Sequence, residues 1–191
     1  MPRGIARDHD EKRAALRKGA AAYFARMGYD RASMTGAARE CGGSKARLYH
    51  YYATKEALLF DILDAHLGEL VEVVEAARPE GVQGLVRAIL AAYSNADHAH
   101  KLQIDALGTL PEEMQAPLVA LQRRLVAAMS DALRAERPDL DADRLRAVTM
   151  SVFGMLNWVY MWHRPDKGLT REAYAELAAE FVLGGLAGLS N

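Results

Sequence analysis

Residues 33–56 read SMTGAARECGGSKARLYHYYATKE, a stretch that predicts a helix, a tight turn, a second helix and the start of a third. Ser33, Ser44 and Thr54 each precede a helical pattern, where a hydroxyl oxygen can accept a hydrogen bond from a backbone amide that has no partner in the helix. The Gly-Gly dipeptide at 42–43 ends the first helix, because glycine tolerates the left-handed backbone of a C-terminal cap. The spacing predicts a helix-turn-helix unit.

The second of these helices carries basic and aromatic side chains that a hydrophobic core would exclude. Leu48 and Tyr52 are four residues apart and are expected to face inward. The rest of the surface carries Lys45, Arg47, Tyr49 and His50. A short basic helix held against a preceding helix has the shape that enters the major groove of DNA. We therefore expect Lys45 and Arg47, at the start of this helix, to reach base edges.

The distribution of charge supports a DNA-binding end more clearly than the net charge of −1 does. Residues 1–60 contain 12 basic and 6 acidic side chains, whereas the rest of the chain contains 12 basic and 19 acidic ones. A basic end on an acidic chain is typical of proteins that meet phosphate at one end. Chance variation of a charged surface is the alternative, and the helix-turn-helix pattern within the basic end argues against it.

Residues 11–66 resemble the DNA-binding domain of the TetR family of repressors. The first helix ends in the family's Phe-x-x-x-Gly-Tyr pattern, at residues 24–29, and residues 48–56 match its Leu-Tyr-x-x-aromatic-x-Ser/Thr-Lys-Glu pattern. The chain departs from the family at Gly43, where a branched apolar residue is usual, and at Tyr52, where phenylalanine is usual. A tyrosine at the edge of a core needs a hydrogen-bond partner for its hydroxyl group.

This resemblance implies a homodimeric repressor on a palindromic operator of double-stranded DNA, released by a small-molecule effector. The implied fold is all-α, with about nine helices: a three-helix DNA-binding domain (1–56) and a helical effector-binding and dimerisation domain (57–191). The scarcity of proline and of β-branched residues independently favours an all-helical chain. Tyr49, His50 and Lys55 would meet phosphates. The full predicted DNA-binding set is Ser33, Thr35, Ser44, Lys45, Arg47, Tyr49, His50 and Lys55.

The second half of the chain predicts further helices that are apolar on several sides, at 142–163 and 170–188. Other helices are predicted at 10–27, 55–77, 82–96, 98–108 and 112–136. A helix that is apolar on most sides is buried on most sides, so we expect the last two to form a four-helix dimer interface. Its predicted residues are Val152, Leu156, Val159, Phe181 and Gly184. The alternative is that these residues form the core of a monomer.

Residues 153–170, FGMLNWVYMWHRPDKGLT, are similar to a TetR branch that responds to acyl-coenzyme A thioesters, which includes repressors of fatty-acid, steroid and phenylacetate catabolism. Residues 100–114 look most like its phenylacetate-type members. The resemblance implies that Arg164, before Pro165, meets a phosphate of coenzyme A. The predicted ligand-binding residues are Leu67, Tyr93, Lys101, Phe153, Asn157, Trp158, Met161, Trp162 and Arg164. A different hydrophobic ligand is the alternative.

Other classes of protein have little support in the sequence. The single cysteine excludes an intrachain disulfide, and neither a signal segment nor an apolar run of roughly 20 residues is present, so we expect a cytoplasmic protein without a membrane partner. His98 and His100 are one residue apart and point in different directions on a helix, which does not favour a metal site. We expect neither enzyme activity nor a cofactor. A helical enzyme and a protein-interaction module are the alternatives, and salt-sensitive operator binding would distinguish a repressor from both.

Overall fold

The computed structural model describes residues 3–164 and 166–190, and within these ranges the chain forms ten α-helices. They are α1 (Arg3–Met27), α2 (Met34–Glu40), α3 (Lys45–Tyr51), α4 (Lys55–Ala77), α5 (Gly81–Tyr93), α6 (Asp97–Ala106), α7 (Glu112–Glu136), α8 (Ala142–Asn157), α9 (Val159–Trp162) and α10 (Arg171–Ala187). The all-α prediction is confirmed. Short 3-10 helices follow α4 at Arg78–Glu80 and α6 at Leu107–Thr109.

The predicted caps of the helix-turn-helix unit are all formed. The hydroxyl oxygens of Ser33, Ser44 and Thr54 accept hydrogen bonds from amides three residues later, at 3.1, 3.2 and 3.1 Å. Gly42 has a φ of +64°, so this residue makes the left-handed turn between α2 and α3. Gly43 does not share that conformation, and a Cβ built on it would meet Arg47 at an ordinary 3.5 Å. The unusual glycine at 43 is therefore not required by the turn.

The helix predicted over 142–163 is interrupted at Trp158. The Trp158 amide donates to the carbonyl of Leu156 instead of the carbonyl four residues earlier, so α8 ends at Asn157 and α9 forms a separate single turn. This break accounts for the tenth helix. Pro165 lies outside the described residues.

Contacts divide the chain into two compact units. The first contains the residues up to His66 together with 98–118, and the second contains 67–97 together with the residues from 119 onward. The first unit thus adds α6 and the start of α7 to the helix-turn-helix unit. A functional boundary at residue 56 stays a prediction.

Each unit has its own apolar core. Phe24, Leu48 and Leu58 are at most 1% exposed in the first unit, and Leu85 and Met129 are equally buried in the second. Burying a large apolar side chain stabilises the fold by roughly 1.5–3 kcal/mol. These side chains hold α3 and α4 in place in the first unit and α5 and α7 in place in the second.

Three of the predicted dimer-interface residues are buried in the core of the second unit. Leu156 and Val159 are completely buried within one protomer, and Val152 is 4% exposed. Leu156 and Val159 therefore cannot offer their side chains to a second chain, and placing them in the interface was wrong. Phe181, by contrast, is 72% exposed, and Gly184 is also exposed.

No helix in the described part of the chain is long and apolar enough to cross a membrane.

Candidate nucleic-acid interface

Helix α2 is held tightly against α1. Its Met34, Ala37 and Ala38 are buried, and a Cβ built on Gly36 would lie 1.9 Å from the Tyr23 hydroxyl oxygen. A side chain at position 36 would require the Tyr23 ring to move. The buried face of α2 and this close approach pack α2 against α1, and α2 leads through the turn into α3.

Helix α3 presents almost its entire surface to solvent. Among its seven residues only Leu48 is buried, at 1% exposure. The predicted contact residues Lys45, Arg47, Tyr49 and His50 are all exposed. The ammonium group of Lys45 lies 5.4 Å from the centre of the Tyr49 ring, a cation–π contact along one side of the helix. The helix thus offers positive charge, hydrogen-bond donors and an aromatic ring on one continuous exposed surface.

The hydroxyl groups of Ser33 and Ser44 act first as helix caps, since their oxygens accept amide hydrogens of α2 and α3. Each hydroxyl keeps its own hydrogen as a donor, and both residues are exposed, as is Thr35 in the first turn of α2. These three positions lie at the starts of the two helices. Hydroxyl donors at such positions can bind phosphate oxygens.

Lys55 is engaged within the protein as well as being a predicted phosphate contact. Its ammonium group donates to the carbonyl oxygens of Tyr29 at 3.0 Å and Ala32 at 3.3 Å, and it lies 4.3 Å from the centre of the Tyr29 ring. Two of its three N–H donors are therefore used to join the start of α4 to the turn after α1. The third donor can still reach a phosphate, which stays a prediction.

Replacing Lys55 by methionine should lower the stability of the first unit, because two carbonyl oxygens lose a charged donor while the aliphatic stem remains. We expect a loss of about 1–2 kcal/mol in the free energy of unfolding. Urea denaturation followed by circular dichroism measures it. Lys45→Met is the matched control, since Lys45 is exposed, and it should unfold like the parent. Equal stability of the Lys55 variant would contradict the structural role.

The predicted ligand-binding residues fall into a buried and an exposed group. Leu67, Tyr93 and Phe153 are at most 7% exposed, and all three belong to the second unit. The Tyr93 hydroxyl donates to Oδ1 of Asn157 at 2.9 Å. Burial raises the pKa of Tyr93 well above its usual range, so the phenol is neutral. A polar pair within an apolar interior is the kind of feature that orients a bound ligand.

The exposed group is formed by Trp158, Met161, Trp162 and Arg164. Trp158 is 58% exposed and Trp162 49%, and the Trp162 ring packs edge-on against Tyr174 of α10, with centroids 5.0 Å apart. The Arg164 guanidinium donates to the carbonyls of Met161 and His163. The structure thus places these residues together on the surface of the second unit.

Lys101 belongs to the first unit, where it pairs with Asp105 and lines a cleft of about 400 Å³ beside Tyr29 and Arg31. The sequence grouped it with residues of the second unit because its charge suited a phosphate. The side chain is half-buried and already has an acidic neighbour one helical turn away.

Helices α8 and α10 enclose an apolar groove of about 370 Å³ in the second unit. Its lining consists mostly of small and aliphatic side chains: Ala147, Val148, Ser151, Val152, Met155, Phe181, Val182, Gly185, Leu186 and Leu189. Val152 forms part of its floor. Phe181, which lines this groove, is 72% exposed, and α8 and α10 also expose the apolar side chains of Met150 and Leu177.

Two ionic contacts, each with one buried partner, were not predicted from the sequence. Asp61 of α4 is 7% exposed and accepts from Arg13 of α1, and Arg171 at the start of α10 is 7% exposed and donates to Asp97 at 3.1 Å. One signal was available for Asp61: it lies three residues after the buried Leu58, on the apolar side of α4. A charged residue at such a position needs a partner.

The histidines give no metal site in the part of the chain that the structure describes, where three or more potential ligands do not cluster. His98 is exposed, and His100 is buried against His66, with ring centroids 5.8 Å apart. Burial, and secondarily His100, lowers the pKa of His66 to about 3. The His66 ring is therefore neutral near pH 7.

Comparisons with known proteins match both parts of the chain. Residues 16–62 match the family described as "Bacterial regulatory proteins, tetR family", and residues 75–186 match "Tetracyclin repressor-like, C-terminal domain". The HTH-type transcriptional repressor Rv1474c of Mycobacterium tuberculosis is 29% identical over 154 residues, covering 76% of this chain and 80% of that protein.

Solved structures have the same fold. A TetR-family transcriptional regulator from Bordetella parapertussis is 35% identical, with a TM-score of 0.86 over 94% of this chain and 97% of its own. AibR in complex with isovaleryl coenzyme A and operator DNA is 24% identical, with a TM-score of 0.76 over 89% of this chain and 97% of its own. At that identity, the likeness to AibR concerns the fold.

Proposed function

The chain belongs to the TetR family of bacterial regulatory proteins, and from this premise we propose a homodimeric repressor that an acyl-coenzyme A thioester releases from its operator. The exposed basic and aromatic surface of α3 is the observation that carries the DNA-binding part. Regulators of this family bind DNA and are not enzymes, and a helical enzyme has no specific feature in its favour.

Dimerisation is supported by the apolar surface of α8 and α10. Phe181 is 72% exposed, and the groove beside it is lined almost entirely by apolar atoms. Leaving such a surface in water is unfavourable, and a two-fold contact between copies covers the same patch on both chains. Glycines on the exposed side of α10 let two helices approach closely. The dimer then presents two copies of α3, about 34 Å apart, to successive major grooves.

An acyl-coenzyme A effector is supported by features of the second unit together with the resemblance of residues 153–170 to the thioester-responsive branch. Leu67, Tyr93 and Phe153 are buried apolar side chains of this unit, and the Tyr93 hydroxyl donates to Asn157. Arg164 offers positive charge at the surface of the same unit. AibR, which shares the fold, binds isovaleryl coenzyme A. Phenylacetyl-coenzyme A is the first compound to test, followed by medium and long fatty-acyl thioesters and isovaleryl-coenzyme A.

The effector should release the repressor from its operator by shifting the dimer between two conformations that differ in the spacing of the α3 helices. An effector that prefers the state with badly spaced α3 helices lowers operator affinity by the ratio of its affinities for the two states. Each compound is therefore tested for release of fluorescently labelled operator, and its binding is followed by the intrinsic fluorescence of Trp158 and Trp162. The corresponding free acid and coenzyme A alone are the ligand controls. If the free acid releases DNA as well as the thioester does, the effector is a different hydrophobic molecule.

Replacing Arg164 by alanine should weaken thioester binding about tenfold, because one charged contact to phosphate is worth roughly 1.5–3 kcal/mol and this one is solvent-exposed. Operator affinity should stay at the parental value, since only the effector loses a partner. Isothermal titration calorimetry with the thioester measures the first effect, and fluorescence anisotropy with operator DNA measures the second. Arg134→Ala, an exposed arginine of α7, should change neither. Equal thioester affinity for the Arg164 and Arg134 variants would remove Arg164 from the site.

A further inference from the structure

Helix α3 has few attachments to the rest of the first unit. It is seven residues long, Leu48 is its only buried side chain in the described structure, and the half-buried Tyr51 lies 5.0 Å from the His9 ring of α1. With few contacts along its length, the helix is held mainly at its ends. Its direction therefore depends strongly on the next residue, Tyr52, which forms its C-terminal cap and is 4% exposed.

Tyr52 is tied to α4 by its hydroxyl group, which donates to Oδ2 of Asp61 at 2.6 Å. Asp61 is itself 7% exposed. Hydrogen bonds to an ionised carboxylate are short and about twice as strong as those between neutral groups. The hydroxyl group at position 52 thus has a specific partner in the core, and phenylalanine would not make this bond.

Asp61 is held in turn by two arginines of α1. Arg13 donates to both carboxylate oxygens, at 3.0 Å from Nε to Oδ2 and 2.5 Å from Nη2 to Oδ1, and Arg17 lies 3.4 Å from Oδ2. Arg13 and Arg17 are four residues apart and share one side of α1. One buried carboxylate therefore joins α1, α4 and the end of α3.

We propose that Asp61 is a positioning residue for DNA recognition: it fixes the direction of α3 through the Tyr52 hydroxyl group, and Arg13 and Arg17 hold it in place. This inference rests on the proposed role of α3 as the DNA-reading helix. Base contacts carry the sequence information and depend on side chains placed to within about 0.5 Å, whereas contacts with phosphates carry no sequence information directly. Loosening Asp61 therefore reduces the discrimination between operator and other DNA more than it reduces affinity for DNA in general.

Two substitutions alter the contact between Tyr52 and Asp61 with little change in side-chain shape. Tyr52→Phe deletes the hydroxyl group and keeps the ring, and Asp61→Asn keeps the shape and removes the charge. Tyr29→Phe is the matched control, because Tyr29 is a buried tyrosine of the same unit whose hydroxyl group has no hydrogen-bond partner in the described structure. The affinity of each protein for operator DNA and for unrelated duplex is measured well below the melting temperature of the protein. A separate titration at stoichiometric concentration gives the fraction of each protein that can bind DNA.

Tyr52→Phe should weaken operator binding by up to about tenfold, the largest loss expected if the free energy of one hydrogen bond to a charged group is spent on holding α3 in its DNA-bound direction. Affinity for unrelated duplex should change less than twofold, and Tyr29→Phe should behave like the parent with both DNAs. Asp61→Asn should also lower the ratio of the two affinities, and adding it to Tyr52→Phe should cost less than the two separate losses combined, because both changes break one contact.

If the folded fraction of Tyr52→Phe keeps the parental ratio, the contact only stabilises the fold, and the proposal is overturned. The same conclusion follows if the two tyrosine variants lose discrimination equally. If the parent protein binds operator and unrelated duplex with equal affinity, the proposed function is refuted, and this inference is refuted with it.

Discussion

Replacing Phe181 by aspartate should convert the dimer into monomers and reduce operator affinity by on the order of 100-fold, because each protomer then binds one half-site without the gain from linked binding. Phe181 is 72% exposed, so the protomer should fold normally while the charge prevents burial of the α8–α10 surface. Sedimentation velocity at micromolar concentration measures the assembly. Fluorescence anisotropy with operator DNA measures the affinity.

Two further variants separate assembly from folding. Ala120→Asp adds the same charge at an exposed position of α7, and it should remain dimeric with parental affinity. Leu156→Asp places the charge in the core of the second unit, where the side chain is completely buried, and it should unfold the protomer. If Phe181→Asp stays dimeric, or if the parent protein is a monomer, the proposed interface is wrong.

Replacing Arg47 by alanine should weaken operator binding by about 1–3 kcal/mol, or roughly 5- to 150-fold, if its guanidinium group binds a guanine through two hydrogen bonds. Arg47 is exposed in the first turn of α3, where its amide is held by the Ser44 cap. The affinity should fall only for operators that carry the preferred base at the position Arg47 contacts. The Arg47→Ala variant should bind all four bases at that position equally well. Titration of a set of single-base operator variants measures this pattern.

Arg47→Lys is the matched control for charge. It keeps the positive group, so its salt dependence should equal that of the parent, but a lysine lacks the planar fork that reads guanine. Discrimination at the same base pair should therefore fall in both variants. If either variant keeps the parental base preference, Arg47 does not read that base.

The helix-turn-helix unit was predictable from sequence because its determinants are local. A serine or threonine cap acts on an amide three residues away, and Gly42 adopts its left-handed conformation within the four-residue turn 41–44. The start and end of α4 and α7 were predicted for the same reason, since a cap or a proline marks each boundary. Trp158 carries no comparable mark, and the break there was missed.

Which sides of α8 are buried could not be predicted from periodicity. Helices α8 and α10 are each apolar on several sides, so Leu156 of α8 and Phe181 of α10 looked equally suited to an interface, although Leu156 is fully buried and Phe181 is 72% exposed. Contacts between segments that are distant in the sequence could not be predicted from periodicity either. The need of Tyr52 for a partner was clear from its chemistry, but identifying Asp61 required the packing of α3 against α4.

In the proposed repressor, two copies of α3 read a two-fold symmetric operator. Selection of bound duplexes from a random library, followed by hydroxyl-radical footprinting of the recovered sequence, tests this claim most directly. We expect a palindrome with half-sites about one helical turn apart, protected in two matching segments, and with Arg47→Ala a weaker enrichment that loses the preference at one base of each half-site. Recovery of no preferred sequence, or of a single unpaired site bound equally by parent and variant, would contradict it.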